Sequence, residues 1–137
     1  MILISHRGNL EGPSDLENHP TQIKKVLDLG YDCEIDVWYE FGQFYLGHDI
    51  PEYRIDPAFL DQEGLWLHCK NLDALNACTD KQNYFWHERD SYTLTSKNFI
   101  WTFPNKLVVD KSIIVDNDPN WQSKNYDCFG VCSDWIK

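Results

Sequence analysis

The sequence predicts an α/β fold: a reduced TIM-type (β/α) barrel of mostly parallel strands, with several of the outer helices missing. Residues 2–37 have the pattern strand, loop, helix, strand, and crossovers of this kind join parallel strands. The chain has 137 residues, whereas a complete barrel takes about 250, so the outer layer must be reduced. Further short segments with the composition of strands lie at 65–70, 84–87, 99–103, 112–115 and 129–132.

The N-terminal elements follow from local patterns. An apolar run predicts a strand over residues 2–5, and glycine and proline mark a loop over 8–13. A helix is predicted over about 16–29, with Asp15 as its cap and Gly30 as its stop.

Helices are scarce in the rest of the chain. Residues 39–46 predict a hairpin that turns at Gly42. Only 72–78 has helical character, and the stretches 88–98 and 104–111 are too short or too polar for crossover helices. Apolar strand backs would then need cover, either from tryptophans of the same chain or from a second subunit in a homo-oligomer. The candidate tryptophans are Trp66, Trp86 and Trp101.

Composition and charge narrow the classes of function. The chain is 42% apolar and 15% aromatic, which suffices for the core of a single domain over 1–137. A net charge of −10 argues against nonspecific nucleic-acid binding and against anionic membrane surfaces. No apolar run has the length of a transmembrane segment, and the N-terminus turns polar too early for a signal peptide. Five cysteines without a CxxC pair indicate reduced thiols and a cytoplasmic protein.

Three short polar fragments end predicted strands near the N-terminus. They are His6-Arg7-Gly8, Glu34-Ile35-Asp36 and His48-Asp49. Together they offer two histidines for proton transfer, a fixed cation for phosphate and two carboxylates for a metal. Those are the groups needed to cleave a phosphodiester with a divalent metal ion. Each fragment alone is equally compatible with a surface turn, so the prediction depends on the order and spacing of all three.

Glu34 and Asp36 are two residues apart on a predicted strand, so their side chains point to the same face. Two carboxylates aimed together repel each other unless a cation or a proton lies between them. Hard divalent ions such as Mg²⁺ and Ca²⁺ favour oxygen ligands of this kind. The pair therefore predicts a metal site, and a solvent-facing strand edge is the alternative.

With these fragments the chain resembles the glycerophosphodiester phosphodiesterase family, within the wider phosphatidylinositol-phospholipase-C-like phosphodiesterase barrels. The N-terminal match is the specific part, and the later matches are thinner. The matching residues are His6-Arg7-Gly8, Glu17-Asn18, Glu34-Ile35-Asp36-Val37, His48-Asp49, Lys70 and Gly130-Val131-Cys132-Ser133-Asp134.

The resemblance implies a role for each matched side chain. His6 and His48 would be the acid–base pair of the reaction. Phosphate binding would fall to Arg7 and Lys70, and Asn18 would orient the substrate or the first strand. The implied metal ligands are Glu34 and Asp36.

One position departs from the family pattern. The family usually has a third carboxylate two residues before the lysine that matches Lys70, and here that residue is His68. As a metal ligand, His68 would shift the preference from Mg²⁺ or Ca²⁺ toward Mn²⁺ or Zn²⁺. As a substrate contact, it would leave a two-carboxylate site completed by water, and packing in the core is a third interpretation. His87 lies near the end of the next strand. It could bind the substrate, and it is equally compatible with an ordinary residue at a strand end.

These residues predict a metal-dependent phosphodiester hydrolase that acts on a small-molecule substrate, and the resemblance implies that this substrate is most simply a glycerophosphodiester. A lyase that stops at a cyclic phosphate is one alternative. A phosphate-ligand binding module without turnover is another, and a structural domain without a ligand is the last.

Overall fold

Ten β-strands and two α-helices form the regular structure of the computed structural model, which describes residues 1–137. The strands are β1 (Ile2–His6), β2 (Asp32–Glu40), β3 (Gln43–Leu46), β4 (Tyr53–Ile55), β5 (Leu65–Cys69), β6 (Tyr84–Trp86), β7 (Tyr92–Leu94), β8 (Ile100–Thr102), β9 (Ser112–Val115) and β10 (Gly130–Ser133). The helices are α1 (Pro20–Asp28) and α2 (Leu72–Ala77), and two 3-10 turns span Pro57–Asp61 and Trp121–Lys124.

The strands form one curled, mixed sheet that branches at β2. One path of hydrogen-bonded neighbours runs β4-β3-β2-β1-β10-β9-β8-β7. A second path leaves β2 through β5, which pairs with β2 on one edge and with β6 on the other. Seven strands are parallel, in the order β6-β5-β2-β1-β10-β9-β8. Antiparallel pairing joins β3 to β2, β4 to β3 and β7 to β8. Strand β2 is central because it contacts β1, β3 and β5.

The predicted fold class, a mostly parallel α/β barrel of the reduced TIM type, is wrong. The molecule is a half-barrel formed by a curled mixed β-sheet, with only two helices. The reason lies in the connections between the parallel strands. The chain between β2 and β5 turns back to form β3 and β4, and the chain between β6 and β8 forms β7. Antiparallel strands need only tight turns, so these connections contain no crossover helix.

Helix α1 starts later than the sequence predicts. It begins at Pro20 with His19 as its N-cap. A proline disfavours helical backbone in the residue before it, so the helix does not extend back toward Asp15. Asn18 instead adopts a φ of +61° and directs its side chain to β2. The C-terminal stop is confirmed, since Gly30 follows the helix with a φ of +94°.

Both faces of the sheet are covered by side chains of the same chain. On the outer face, α1 and α2 pack over β2 and β5 around a cluster of 14 buried residues. Trp86 packs against this outer cluster, whereas Trp66 and Trp101 are buried inside the curl. The inner cluster consists of Ile4, Trp66, Phe85, Trp101, Ile113 and Cys132.

Two smaller expectations concern the thiols and the membrane. All five cysteines are free, and four of them are buried. Neither α1 nor α2 has the length and apolar character that crossing a bilayer requires.

Candidate active site

The strand register brings the predicted polar residues to the carboxyl end of the half-barrel. His6 lies opposite Glu34 across β1 and β2, and Asp36 lies opposite His68 across β2 and β5. Alternate side chains of a strand share a face, so Glu34 and Asp36 point to one side, while Ile35 is buried in the outer cluster. The spacing seen in the sequence therefore becomes a shared position in space.

Glu34, Asp36 and His68 form a compact cluster of potential metal ligands. One ligand atom from each lies within 4.8 Å of the others. His68 Nδ1 is 3.5 Å from Glu34 Oε2 and 3.3 Å from Asp36 Oδ1. The two carboxylate residues are 2% and 1% exposed, and Glu34 Oε1 and Asp36 Oδ1 have no hydrogen-bond partner. Buried carboxylates are unfavourable without compensating charge, so this cluster could hold a metal ion.

The cluster attracts positive charge. Burial opposes the charged form of His68, but the close carboxylates of Asp36 and Glu34 outweigh burial and raise the pKa of His68 to about 9. Burial also opposes ionisation of Asp36, yet the close rings of His48 and His68 hold the pKa of Asp36 well below its usual value. Asp36 is therefore ionised near neutral pH, as a metal ligand must be.

Neighbouring groups orient the ring of His68. The ring stacks on Phe85, with centroids 5.0 Å apart and an interplanar angle of 13°. Its Nε2 lies 3.2 Å from the backbone oxygen of His87. In the neutral ring, donation of Nε2–H to that oxygen leaves the Nδ1 lone pair facing the two carboxylates. Metal-bound histidines usually donate their other ring N–H in this way, so the geometry favours the ligand interpretation of His68.

His6 is oriented by Asp134, a carboxylate to which the sequence assigned no role. His6 Nδ1 lies 2.8 Å from Asp134 Oδ1, and His6 Nε2 lies 4.0 Å from Glu34 Oε1. Asn9 donates to Asp134 Oδ1 at 2.9 Å, and the Asp134 backbone N–H donates to Asn117 Oδ1 at 3.0 Å. Burial lowers the pKa of His6, but the Asp134 hydrogen bond and the Glu34 charge outweigh it and raise that pKa. Asp134 therefore fixes the position of the His6 ring and favours its protonated form.

Replacing Asp134 by asparagine should lower the pKa of His6. The amide keeps the shape of the side chain but removes the negative charge that stabilises the imidazolium. NMR titration of the His6 ring protons should give a midpoint at lower pH than in the wild type. His19, whose ring contacts Tyr53, is the internal control, and its ring resonances at a given pH should be the same in both proteins. An unaltered His6 midpoint would show that Asp134 does not control this ring.

Arg7 and His48 adjoin the cluster at Asp36. Arg7 Nε is 3.4 Å from Asp36 Oδ2, and Arg7 Nη2 is 3.3 Å from His48 Nε2. His48 Nδ1 is 3.5 Å from the same Asp36 oxygen, and the His48 side chain is 38% exposed. Glu17 lies 3.5 Å from Arg7 Nη1. A guanidinium and an accessible imidazole are thus held beside Asp36, one of the three potential metal ligands.

A cleft of about 320 Å³ connects these groups. Seven of the predicted site residues line it, namely His6, Arg7, Glu34, His48, His68, Lys70 and His87. The rest of the lining comes from Glu88, Trp101, Phe103, Pro104, Val115 and Asn117. Arg7 and Lys70 place positive charge on the wall of this cleft, although the protein as a whole is acidic. Glu34 and Glu88 line it as well, so the cleft brings fixed cations and carboxylates together.

Asn18 and His87 differ in their access to the cleft. The Asn18 side chain donates to Asp36 Oδ2 and accepts from the Asp36 N–H, both at 2.9 Å. Asn18 is 1% exposed, so it orients the Asp36 carboxylate and does not line the cleft. His87 does line the cleft, with its Nδ1 buried and without a hydrogen-bond partner.

Alanine in place of Asn18 should destabilise the protein. The change would leave the Asp36 N–H without a partner and would remove the hydrogen-bond donor of Asp36 Oδ2, and each such buried loss costs about 1–3 kcal/mol. Denaturant unfolding should therefore show a free energy of unfolding lower by at least about 2 kcal/mol. Asn76 in α2 is exposed, and Asn76→Ala should not lower this free energy. Equal stability of Asn18→Ala and the wild type would contradict the role given to Asn18.

A scan against protein-family models finds no match for this chain, and comparisons with curated proteins and with solved structures find none either. The function must therefore be inferred from the site itself.

Proposed function

We propose that this protein is a metal-dependent phosphodiesterase that hydrolyses phosphoric diesters. The observation that supports the proposal is the convergence of three features on one cleft. These are a buried cluster suited to a cation, two histidines and a guanidinium. The substrate that we infer is a glycerophosphodiester, from the resemblance of the polar fragments to that family. The proposal depends on the site rather than on the fold, because the half-barrel differs from the barrel that the resemblance implies.

Glu34, Asp36 and His68 are the residues that we propose to hold the metal. A divalent cation held by these three side chains would neutralise phosphate charge and would lower the pKa of a water nucleophile. The two carboxylates suit Mg²⁺ or Ca²⁺, and the imidazole adds affinity for Mn²⁺ or Zn²⁺.

The remaining side chains bind phosphate and transfer protons. Arg7 and Lys70 supply fixed positive charge, and a guanidinium can make bidentate contacts with phosphate oxygens. His6 lies beside Glu34, and His48 lies beside Asp36, so the two imidazoles flank the cluster. One of them removes a proton from the attacking water or hydroxyl, and the other protonates the leaving alkoxide.

His68→Glu should change the metal preference of the site. A third carboxylate replaces the imidazole and should move the ratio of affinities from Mn²⁺ or Zn²⁺ toward Mg²⁺ or Ca²⁺. Isothermal titration calorimetry with each metal measures this ratio. His87→Gln is the matched control, because the His87 ring lies 5.9 Å from that of His68 but outside the cluster. If the ranking of metals is the same in His68→Glu as in the wild type, His68 is not a ligand.

A turnover screen tests the proposed function. The purified chain is incubated with a panel of glycerophosphodiesters and with bis(4-nitrophenyl) phosphate, in the presence of Mg²⁺, Ca²⁺, Mn²⁺ or Zn²⁺. The proposal expects cleavage that requires a metal and stops on chelation. A cyclic phosphate as the final product would identify a lyase instead. Binding of glycerol phosphate without turnover would identify a binding module. The absence of both binding and turnover would contradict the proposal outright.

A further inference from the structure

A second cleft, of about 260 Å³, lies at the amino ends of the parallel strands. Its lining comes from the starts of β1, β2 and β5 and from the residues that precede β6, β8 and β10. No residue lines both this cleft and the candidate active site, which lies at the carboxyl end of the same strands. The second cleft is therefore a separate feature of the half-barrel.

Aromatic rings form much of the wall of this amino-end cleft. The Phe99 ring is 5.2 Å from the Trp66 ring and 4.5 Å from the Phe129 ring. Trp66 Nε1–H already donates to Asp32 Oδ2 at 2.9 Å, so Trp66 has no free polar group to offer a ligand. Phe129 is 39% exposed, which leaves aromatic surface open at the cleft. A flat apolar group would bury this surface favourably.

Asn83 adds one polar group to the aromatic wall. Asn83 lies in the lining and is 7% exposed, and its Oδ1 is buried without a hydrogen-bond partner. The position of the residue is fixed, because its backbone oxygen accepts from the Leu67 N–H at 2.9 Å. A buried acceptor without a donor is unfavourable. A ligand that donates an N–H or O–H to Oδ1 would remove that penalty.

The charged residues and the volume of the cleft restrict the kind of ligand that fits it. Asp32 and Lys97 both line the cleft, and their opposite charges favour a neutral occupant over an ion of either sign. The volume is near the lower end of the range for ligand sites, which suits one ring or two fused rings. We propose that the amino-end cleft binds a small neutral aromatic molecule whose N–H or O–H donates to Asn83 Oδ1.

Indole and benzofuran provide a matched pair of probes, since they share a shape but only indole has an N–H. Each is titrated into the ¹⁵N-labelled full chain, and amide shifts are followed by NMR. We expect indole to shift the amides of Gly64, Asn83 and Lys97 and to bind about 2–10-fold more tightly than benzofuran, the gain typical of one hydrogen bond. Equal affinities, no shifts, or shifts confined to the active-site cleft would overturn the proposal. This comparison uses the wild-type protein and needs no variant.

Two variants locate the hydrogen bond. Asn83→Leu removes the acceptor, so indole should lose its advantage over benzofuran. Asn76→Leu, on the exposed face of α2, should retain the advantage. Persistence of the indole preference in Asn83→Leu would contradict the assignment of Asn83. Neither residue belongs to the candidate active site, so the result is independent of whether the chain cleaves phosphodiesters.

Discussion

Phosphodiester turnover is expected to fall about 10²–10⁴-fold when either His6 or His48 is replaced by alanine. Cleavage must take a proton from the nucleophile and give one to a poor alkoxide leaving group. Histidine can do either near neutral pH. Each ring has a carboxylate beside it, Asp134 for His6 and Asp36 for His48, and both rings adjoin the cluster of Glu34, Asp36 and His68. Steady-state kinetics at saturating metal measures the loss.

A nitrophenyl leaving group separates the two roles. Nitrophenolate departs without needing a proton, so this substrate should rescue the variant that lacks the acid and leave the other impaired. The double variant should be little slower than the slower single variant, because residues that act as a unit have non-additive effects. His19→Asn is the control, since it keeps a side chain able to cap α1 and lies outside the cleft. If neither alanine variant slows turnover by about tenfold, the two-histidine mechanism is contradicted.

Metal affinity is expected to fall more than about 100-fold in Glu34→Gln and in Asp36→Asn. Changes to residues that only support metal ligands already cost about 10–100-fold, and these substitutions remove charged ligands themselves. The amides preserve side-chain size, so a lower metal affinity in isothermal titration calorimetry reports the loss of the negative charge.

A control on the same strand separates this effect from general damage to β2. Asp32 lies two residues before Glu34 and hydrogen-bonds Trp66, outside the cluster. Asp32→Asn should therefore bind metal as the wild type does. Wild-type metal affinity in both cluster variants would contradict the metal assignment.

Local patterns predict the elements of this fold better than their arrangement. The apolar run at β1, the hairpin at Gly42 and the stop at Gly30 are readable because neighbouring residues determine them. Strands β4 and β7 are missed because each has three residues and lies in a polar stretch, without the apolar and aromatic runs that mark the equally short β6 and β8. The curled mixed sheet depends on pairings between distant segments, such as β1 with β10, which no local pattern reports.

The site shows the same division between local and distant information. Glu34 and Asp36 are predictable as a pair, because spacing along one strand determines their common face. The contact of His6 with Asp134 spans 128 positions along the chain, so sequence alone does not reveal it. The same spacing at other strand ends would have indicated four more residues of the cleft. Trp101 with Phe103, and Val115 with Asn117, are also two residues apart at strand ends, and all four line the cleft.

The most direct test of metal-dependent phosphodiester cleavage is ³¹P NMR of a glycerophosphodiester incubated with the chain and a divalent metal. The proposed function predicts that the diester resonance declines and a phosphomonoester resonance appears. Neither change should occur after chelation of the metal or with Glu34→Gln. Persistence of the diester resonance across the substrate panel, with each of Mg²⁺, Ca²⁺, Mn²⁺ and Zn²⁺, would contradict the proposed function.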